Sequence, residues 1–347
     1  MLNLDRGKMK IKNFCLLLVT LLITNVLTAQ SIIQLAQNPQ TSIRGLSVVN
    51  DNIAWVSGSK GYIGKTIDGG KTWAWQQVKG FENSDFRDIE AFSGKEAIIM
   101  SSGTPALILK TVDGGASWRV KYKNTDTAYF FDAMDFANSK HGLVLGDPIN
   151  NKFVLLETTD ACETWKPFNN PPNALPGEAA FAASGTCLRF GKNAIAIVTG
   201  GSISRELVLY CDSYPTYWTR NETLLKHGKS SQGAFSLSGS HGVIVGGDYQ
   251  NDRLADSVAE YYFYNGTYAG GSLLLPKTPP AGFQSCVEYI SNNIYLSTGT
   301  PGSNITTDGG KTWKKIDNAS YNVCRKAKHG KLVLLAGDGG KIGVFEM

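Results

Sequence analysis

The chain has little of what most catalytic, metal-binding and nucleic-acid-binding proteins are built from. It carries 4 histidines and 6 cysteines in 347 residues. No C-x-x-C pair and no Cys/His cluster occurs, so no zinc site is expected. There is no G-x-G-x-x-G following a strand and no C-x-x-C-H haem attachment. Gly337-Asp-Gly-Gly-Lys341 lacks phosphate-loop spacing and reads as a hairpin turn. No cofactor and no metal are therefore expected. There is no polybasic run, which argues against nucleic acid as a partner. No stretch of useful length has a helical period, so the domain is expected to be all-β.

The N-terminus stands apart from the rest. Lys8, Lys10 and Lys12 precede an apolar run from Phe14 to Val26, and Leu27-Thr28-Ala29-Gln30 offers a small-residue cleavage point. Residues 1–30 thus read as a secretory signal peptide, and the chain as exported to the periplasm, cell surface or medium. The run is shorter than the roughly 20 residues that span a bilayer. Without Arg6, Lys8, Lys10, Lys12 and Asp5, the mature chain keeps 30 basic and 28 acidic residues, a net charge of +2 against +5 for the whole. The mature part, 31–347, is read as one domain. It holds Cys162, Cys187, Cys211, Cys286 and Cys324. Five is odd, so at least one is free or pairs between chains. Cys286 and Cys324 fall in corresponding places of neighbouring repeats, and their pairing stays open.

Four segments are near-copies of one another: Thr66 to Trp73, Thr111 to Trp118, Thr158 to Trp165 and Thr306 to Trp313. Each reads Thr-x-Asp-x-Gly-x-Thr/Ser-Trp, except that Cys162 takes the Gly place in the third. Asp68 to Asp113 is 45 residues, Asp113 to Asp160 is 47, and Asp160 to Asp308 is 148, close to three more periods. A period of about 40–50 residues means a propeller or a solenoid. A second repeat gives an independent count. A short apolar strand ending in small residues and Gly recurs seven times, at 53–58, 97–103, 143–146, 194–200, 243–246, 294–299 and 332–337. Small residues at a strand end permit close backbone approach, as the centre of a propeller requires.

These patterns predict a seven-bladed β-propeller with four-stranded antiparallel blades. In each box the Asp accepts bonds from turn amides, Gly supplies a positive φ, and Trp packs on the blade. Asp68, Trp73, Asp113, Trp118, Asp160, Trp165, Asp308 and Trp313 are thus read as structural. Cys162 in a Gly place predicts strain or a relaxed turn. Two boxes, at 210–218 and 261–268, are degraded. After Gly337 the chain has room for one more strand but no fourth. Ser31 to Ala36 is therefore expected to pair with the 341–346 strand and close the ring, removing an exposed sheet edge.

The motif resembles the Asp-box, or bacterial neuraminidase repeat. With its spacer the chain is similar to the photosystem II stability/assembly factor family and its bacterial relatives. That resemblance implies a propeller used for binding or assembly. Sialidases, xyloglucan hydrolases and sortilin-type receptors share the box, so the box carries architecture rather than activity. Ser42-Ile43-Arg44-Gly45 lacks the Arg-Ile-Pro of sialidases. Arg87 stands at the equivalent place in the second blade, but Asp132 does so in the third.

Loops leading into first strands and those between second and third strands share one face, where function usually resides. Arg44, Arg87, Asp132 and Arg325 are expected near the ring centre. Asp147, Arg205, Glu206, Asp248, Tyr249 and Arg253 are expected around the same mouth. A mixed ring of arginines and carboxylates suits a protein partner's chain end, or a polar glycan or small ligand. The other reading is that Arg44, Arg87 and Asp132 pair with one another and fill the channel. Two functions follow: a non-catalytic, monomeric binding or assembly propeller, or a carbohydrate-active hydrolase with two mouth carboxylates about 5–10 Å apart.

Overall fold

A computed structural model describes residues 30–37, 39–211, 217–238, 242–264 and 271–347. Seven antiparallel sheets stand around a central channel. Blade 1 is Ile43–Val48, Ala54–Gly58, Tyr62–Thr66 and Ala74–Gln77. Blade 2 is Asp85–Ala91, Ala97–Ser102, Ala106–Thr111 and Arg119–Asn124. Blade 3 is Phe131–Asn138, His141–Ile149, Lys152–Thr158 and Lys166–Pro167. Blade 4 is Leu188–Phe190, Ala194–Val198, Arg205–Tyr210 and Trp218–Glu222. Blade 5 is Lys229–Leu237, Val243–Asp248, Ala259–Tyr264 and Gly271–Leu274. Blade 6 is Cys286–Ser291, Ile294–Gly299, Gly302–Thr306 and Lys314–Asp317. One 3-10 turn at Asp338–Gly340 is the helical content of the described residues. None of their helices is long and apolar enough to cross a membrane.

Blade 7 is composite. Val323–Lys326, Val333–Ala336 and Lys341–Glu346 come from the C-terminus, and Ser31–Gln37 supplies the fourth strand. Ser31 pairs with Glu346, Ile33 with Val344 and Gln37 with Lys341. The first and last described strands therefore hydrogen-bond each other, and the ring closes as expected.

The apolar side chains of each sheet pack on the neighbouring blade. Ile43, Leu46, Val323, Leu334 and Leu335 form one core at the junction of blades 6, 7 and 1. Trp55, Phe86, Ile89 and Leu107 join blades 1 and 2. Leu145, Phe153, Leu188 and Ile197 join blades 3 and 4. Such burial, at about 25 cal/mol per Å² of apolar surface, is what makes a ring of individually marginal sheets cohere.

The four boxes share one pattern of bonds to the Asp carboxylate. In each, the Thr hydroxyl donates to one Asp oxygen, as Thr66 does to Asp68 at 2.8 Å. The later Thr or Ser donates its amide and hydroxyl to the same carboxylate, at 2.9 and 2.6 Å for Thr72. The same set recurs at Asp113, Asp160 and Asp308. These bonds, the hydroxyl of the later Thr or Ser foremost, hold the carboxyls of Asp68, Asp113 and Asp160 down at about 2. Two successive positive-φ residues follow each Asp: Gly69 and Gly70, Gly114 and Gly115, Gly309 and Gly310. In blade 3 those places are Ala161 at φ 60° and Cys162 at φ 66°, so the turn is kept and the strain is real. The Cys162 side chain is buried in the blade 2–3 core. Parts of both degraded boxes, 212–216 and 265–270, lie outside the described residues.

Blade 4 departs from the simple repeat. The apolar run 194–200 does not stay in one sheet. It breaks after Val198, and Gly200–Gly201 crosses to pair with blade 5's first strand and with Glu178–Ala179. Backbones approach so closely there that a Cβ on Gly233, which sits at φ 145°, would lie 2.2 Å from the Gly200 Cα. Only glycine fits such a crossing.

Candidate functional site

Antiparallel order gives the ring two unlike faces. First strands begin on the upper face, beside the loops that join second to third strands. The lower face carries the hairpins between first and second strands, and the Asp-boxes.

On the upper face the connection from blade 3 to blade 4 turns inward and plugs the channel. Ala182, Ala183, Ser184, Gly185 and Thr186 are all buried. Three arginines from three blades donate to its carbonyls: Arg44 to Ala183 at 3.5 Å, Arg87 to Ala182 at 3.5 Å and Arg325 to Ser184 at 3.1 Å. Ser184 Oγ donates to the Ser285 carbonyl at 2.8 Å, and the Thr186 and Ser236 hydroxyls lie 2.6 Å apart. A Cβ on Gly185 would lie 2.2 Å from an Asp88 oxygen, so the plug enters where the walls leave room for nothing larger. Sequence reasoning missed this segment. Its signal was the run of small residues Ala179-Ala180-Phe181-Ala182-Ala183-Ser184-Gly185 between two strands.

The arginines and Asp132 do not fill the channel by pairing with one another. Arg87 binds Asp85 of its own strand at 2.7 Å and lies 5.7 Å over the Phe130 ring. Arg44 is the less satisfied. Burial first, and then the like charge of Arg87, lowers its pKa from the ordinary value, with Asp338 and Asp85 opposing. Asp338 is itself held by Ser42 at 2.5 Å and Asn322 at 2.9 Å. Two neighbouring guanidiniums, each making one long bond to the plug, stand on this face with the carboxylates of Asp85 and Asp338 beside them.

Asp132 is 1% exposed, and its Oδ2 has no hydrogen-bond partner among the described residues. Burial, and then the charge of Asp147, raise it well above the carboxylate range. Asp147 is pushed up to about 6 by burial, against a 3.3 Å bond from the Ala180 amide. The two form a neutralisable couple beside Arg87.

The other mouth residues separate. Arg205 is buried and holds Glu178 through two bonds of 2.9 and 2.5 Å, with a third to the Asn173 carbonyl. Asp248 is buried. Although burial opposes ionisation, Gln232, Asn251, Ser231 and the Gln250 amide hold its carboxyl far below the usual range. Both side chains brace the loops. Glu206, in the third strand of blade 4, adds its charge to the environment of Glu260. Arg253 is exposed on the 248–256 loop. Tyr249 is 47% exposed and caps an aromatic cluster. Phe181 stacks on Phe235 at 3.7 Å, Phe283 meets Phe235 edge-on at 4.8 Å, and Tyr249 lies 6.2 Å from Phe235.

The lower mouth opens into a cavity of about 590 Å³ lined by the ends of the first strands. Opposite charges meet along its wall. Arg189 and Arg325 face Glu288 at 3.5 and 4.0 Å, and Lys328 binds Glu90. Asp88, at its inner end, is pushed up to about 7 by burial, against Arg325 and the amides of Met134 and Ile89. No group of three or more metal-ligating side chains occurs among the described residues.

The fold and this plugged, arginine-centred face define a seven-bladed Asp-box propeller. Residues 26–128 match the model of a family described as photosynthesis system II assembly factor YCF48, in accord with the likeness drawn from the boxes. A solved structure described as YCF48 bound to D1 peptide is 17% identical, with a TM-score of 0.63 over 92% of this chain and 95% of that one. YCF48 from Cyanidioschyzon merolae is 15% identical, with a TM-score of 0.58 over 90% and 98%. The Neurospora crassa Pan2 WD40 domain is 13% identical, with a TM-score of 0.61 over 91% and 95%. At these identities the structures establish the fold. No curated protein matches the chain in sequence.

Proposed function

We propose that this chain is an exported, monomeric, non-catalytic binding propeller that holds a protein partner on its upper face. An anionic group of the partner, a side-chain carboxylate or a chain end, sits between Arg44 and Arg87. The observation that carries this reading is the arginine couple. The two guanidiniums repel each other and each makes a single long bond to the plug. A bidentate carboxylate relieves that repulsion, and guanidinium forks suit it. Tyr249, exposed on the same face and backed by the buried rings of Phe235 and Phe283, supplies an aromatic contact of the kind enriched in interface hot spots. A structural neighbour described as bound to a peptide supports the same use of the fold.

The upper-face geometry gives a glycosidase less. Its neighbouring carboxylates are Asp132 and Asp147, and Asp132 is 1% exposed. A glycosidic bond has to lie between two accessible carboxyls.

The test is a pull-down from an envelope extract of the source organism, read by mass spectrometry, with an R44A/R87A variant as control. Capture of a partner by the wild type and its loss with the variant is the expected result. A partner indifferent to both arginines overturns the assignment of the site. Sequencing the N-terminus of the cell-derived protein checks export: a start near Gln30 or Ser31 is expected.

A further inference from the structure

Cys286 opens the first strand of blade 6, and Cys324 lies in the first strand of blade 7. The two strands are neighbours on the channel wall. Cys286 Sγ accepts from the Cys324 amide at 3.4 Å and donates to the Cys324 carbonyl at 3.4 Å. The Cys324 thiol donates to the Leu296 carbonyl of blade 6 at 3.7 Å. Arg325 Nη1 stands 3.8 Å from the same sulfur. Both thiols are buried and neither is in a disulfide. Cys162 and Cys187 sit elsewhere, in the blade 2–3 and blade 3–4 cores, and burial pushes both thiols well up.

We propose that Cys286 and Cys324 are a redox-active dithiol that closes to a disulfide fastening blade 6 to blade 7, the blade in which the first and last described strands meet. The oxidant is an external disulfide. The Cys286 thiolate attacks one of its sulfurs and releases one thiolate. The Cys324 thiolate then displaces the second thiolate from the mixed disulfide, forming the Cys286–Cys324 bond. The two cysteine thiols are oxidised, the external disulfide is reduced to two thiols, and the two cysteine protons pass to the leaving groups.

Cys286 is the attacking member. Burial works against its ionisation, but the Cys324 thiol and amide, with Arg325 and Arg189, outweigh burial and hold it well below the ordinary thiol value. Thiolate character governs such exchange. Because both sulfurs are buried, an external disulfide reaches them only while the ring is open but blades 6 and 7 are already packed together, so that Cys286 keeps Cys324 and Arg325 beside it. Exchange is therefore fast during refolding and slow in the native protein. The bond would join residues 38 apart in sequence, a loop long enough to stabilise the fold mainly by constraining the unfolded chain.

The test refolds the purified reduced protein with oxidised glutathione, alkylates residual thiols, and maps peptides without reduction. The expected product is one intramolecular Cys286–Cys324 pair that raises Tm by several degrees and is reversed by dithiothreitol. C286S and C324S variants should lose both the bridge and the oxidant-dependent Tm rise. Quantitative alkylation of both cysteines after refolding overturns the proposal, as does a dominant glutathione adduct on Cys286 or Cys324, or a bridge from either to Cys187. If either variant fails to fold, peptide mapping of the wild type decides alone.

Discussion

Replacing Glu260 with glutamine should make the protein more stable at pH 8 and leave it nearly unchanged at pH 5. Glu260 lies in the third strand of blade 5 and is 1% exposed. Its Oε2 accepts the Leu224 amide at 2.6 Å, while Oε1 has no hydrogen-bond partner among the described residues. Burial, opposed by that amide and reinforced by the charge of Glu206, pushes the carboxyl from its ordinary 4.5 up to about 7. A carboxyl raised in the folded state contributes stability that is fully present below pH 4.5 and lost as pH rises through about 7. Each pKa unit is worth about 1.4 kcal/mol, so the group costs about 3 kcal/mol once ionised in place, most of it lost between pH 5 and pH 8. Glutamine keeps an acceptor for the Leu224 amide and carries no charge to be repelled by Glu206. Urea unfolding of both proteins at pH 5 and pH 8 isolates the effect, because Asp88 and Asp147 titrate alike in each. The E260Q advantage should grow by about 2–3 kcal/mol between the two pH values. Parallel pH profiles for the two proteins would refute the argument.

Three further substitutions test the framework. Glu178→Ala leaves the buried Arg205 guanidinium without the carboxylate that holds it through two bonds. It should cost about 3–5 kcal/mol in urea unfolding, and a loss below about 1 kcal/mol would mean that the pair is solvated. Ala161→Gly removes the strain of a positive-φ alanine while keeping the Ala161 carbonyl that accepts Lys110 at 2.7 Å. It should gain up to about 1 kcal/mol after the entropy of an added glycine. The same change at Cys162 also empties a buried place in the blade 2–3 core, so it should come out near neutral. A thermal melt in which A161G loses stability would show that the turn is not strained.

How much was legible in the sequence follows from how local each cause is. The Asp-box is made by residues within five positions of its Asp, so spacing alone revealed it, including the odd turn at Cys162. The blade count follows from repeated short apolar strands. Ring closure follows from a last repeat that stops one strand short and a spare apolar strand at 31–36. The arginines were placed at the ring centre because Arg44 and Arg87 hold equivalent positions in successive blades.

What those arginines touch was decided by tertiary structure. Arg44 and the Ala183 carbonyl it reaches are 139 residues apart in sequence, and nothing near either residue announces the contact. The Arg205–Glu178 brace and the crossing of Gly200–Gly201 into the next sheet depend on how one connection folds back over the mouth. The raised carboxyls of Asp88, Asp132 and Glu260 come from burial, which belongs to the packed ring rather than to any window of residues. A repeat writes its own turns and strands into the sequence, because those rest on short-range sterics and hydrogen bonds. The centre of the ring, where seven blades and one inserted segment meet, exists only once the ring has closed.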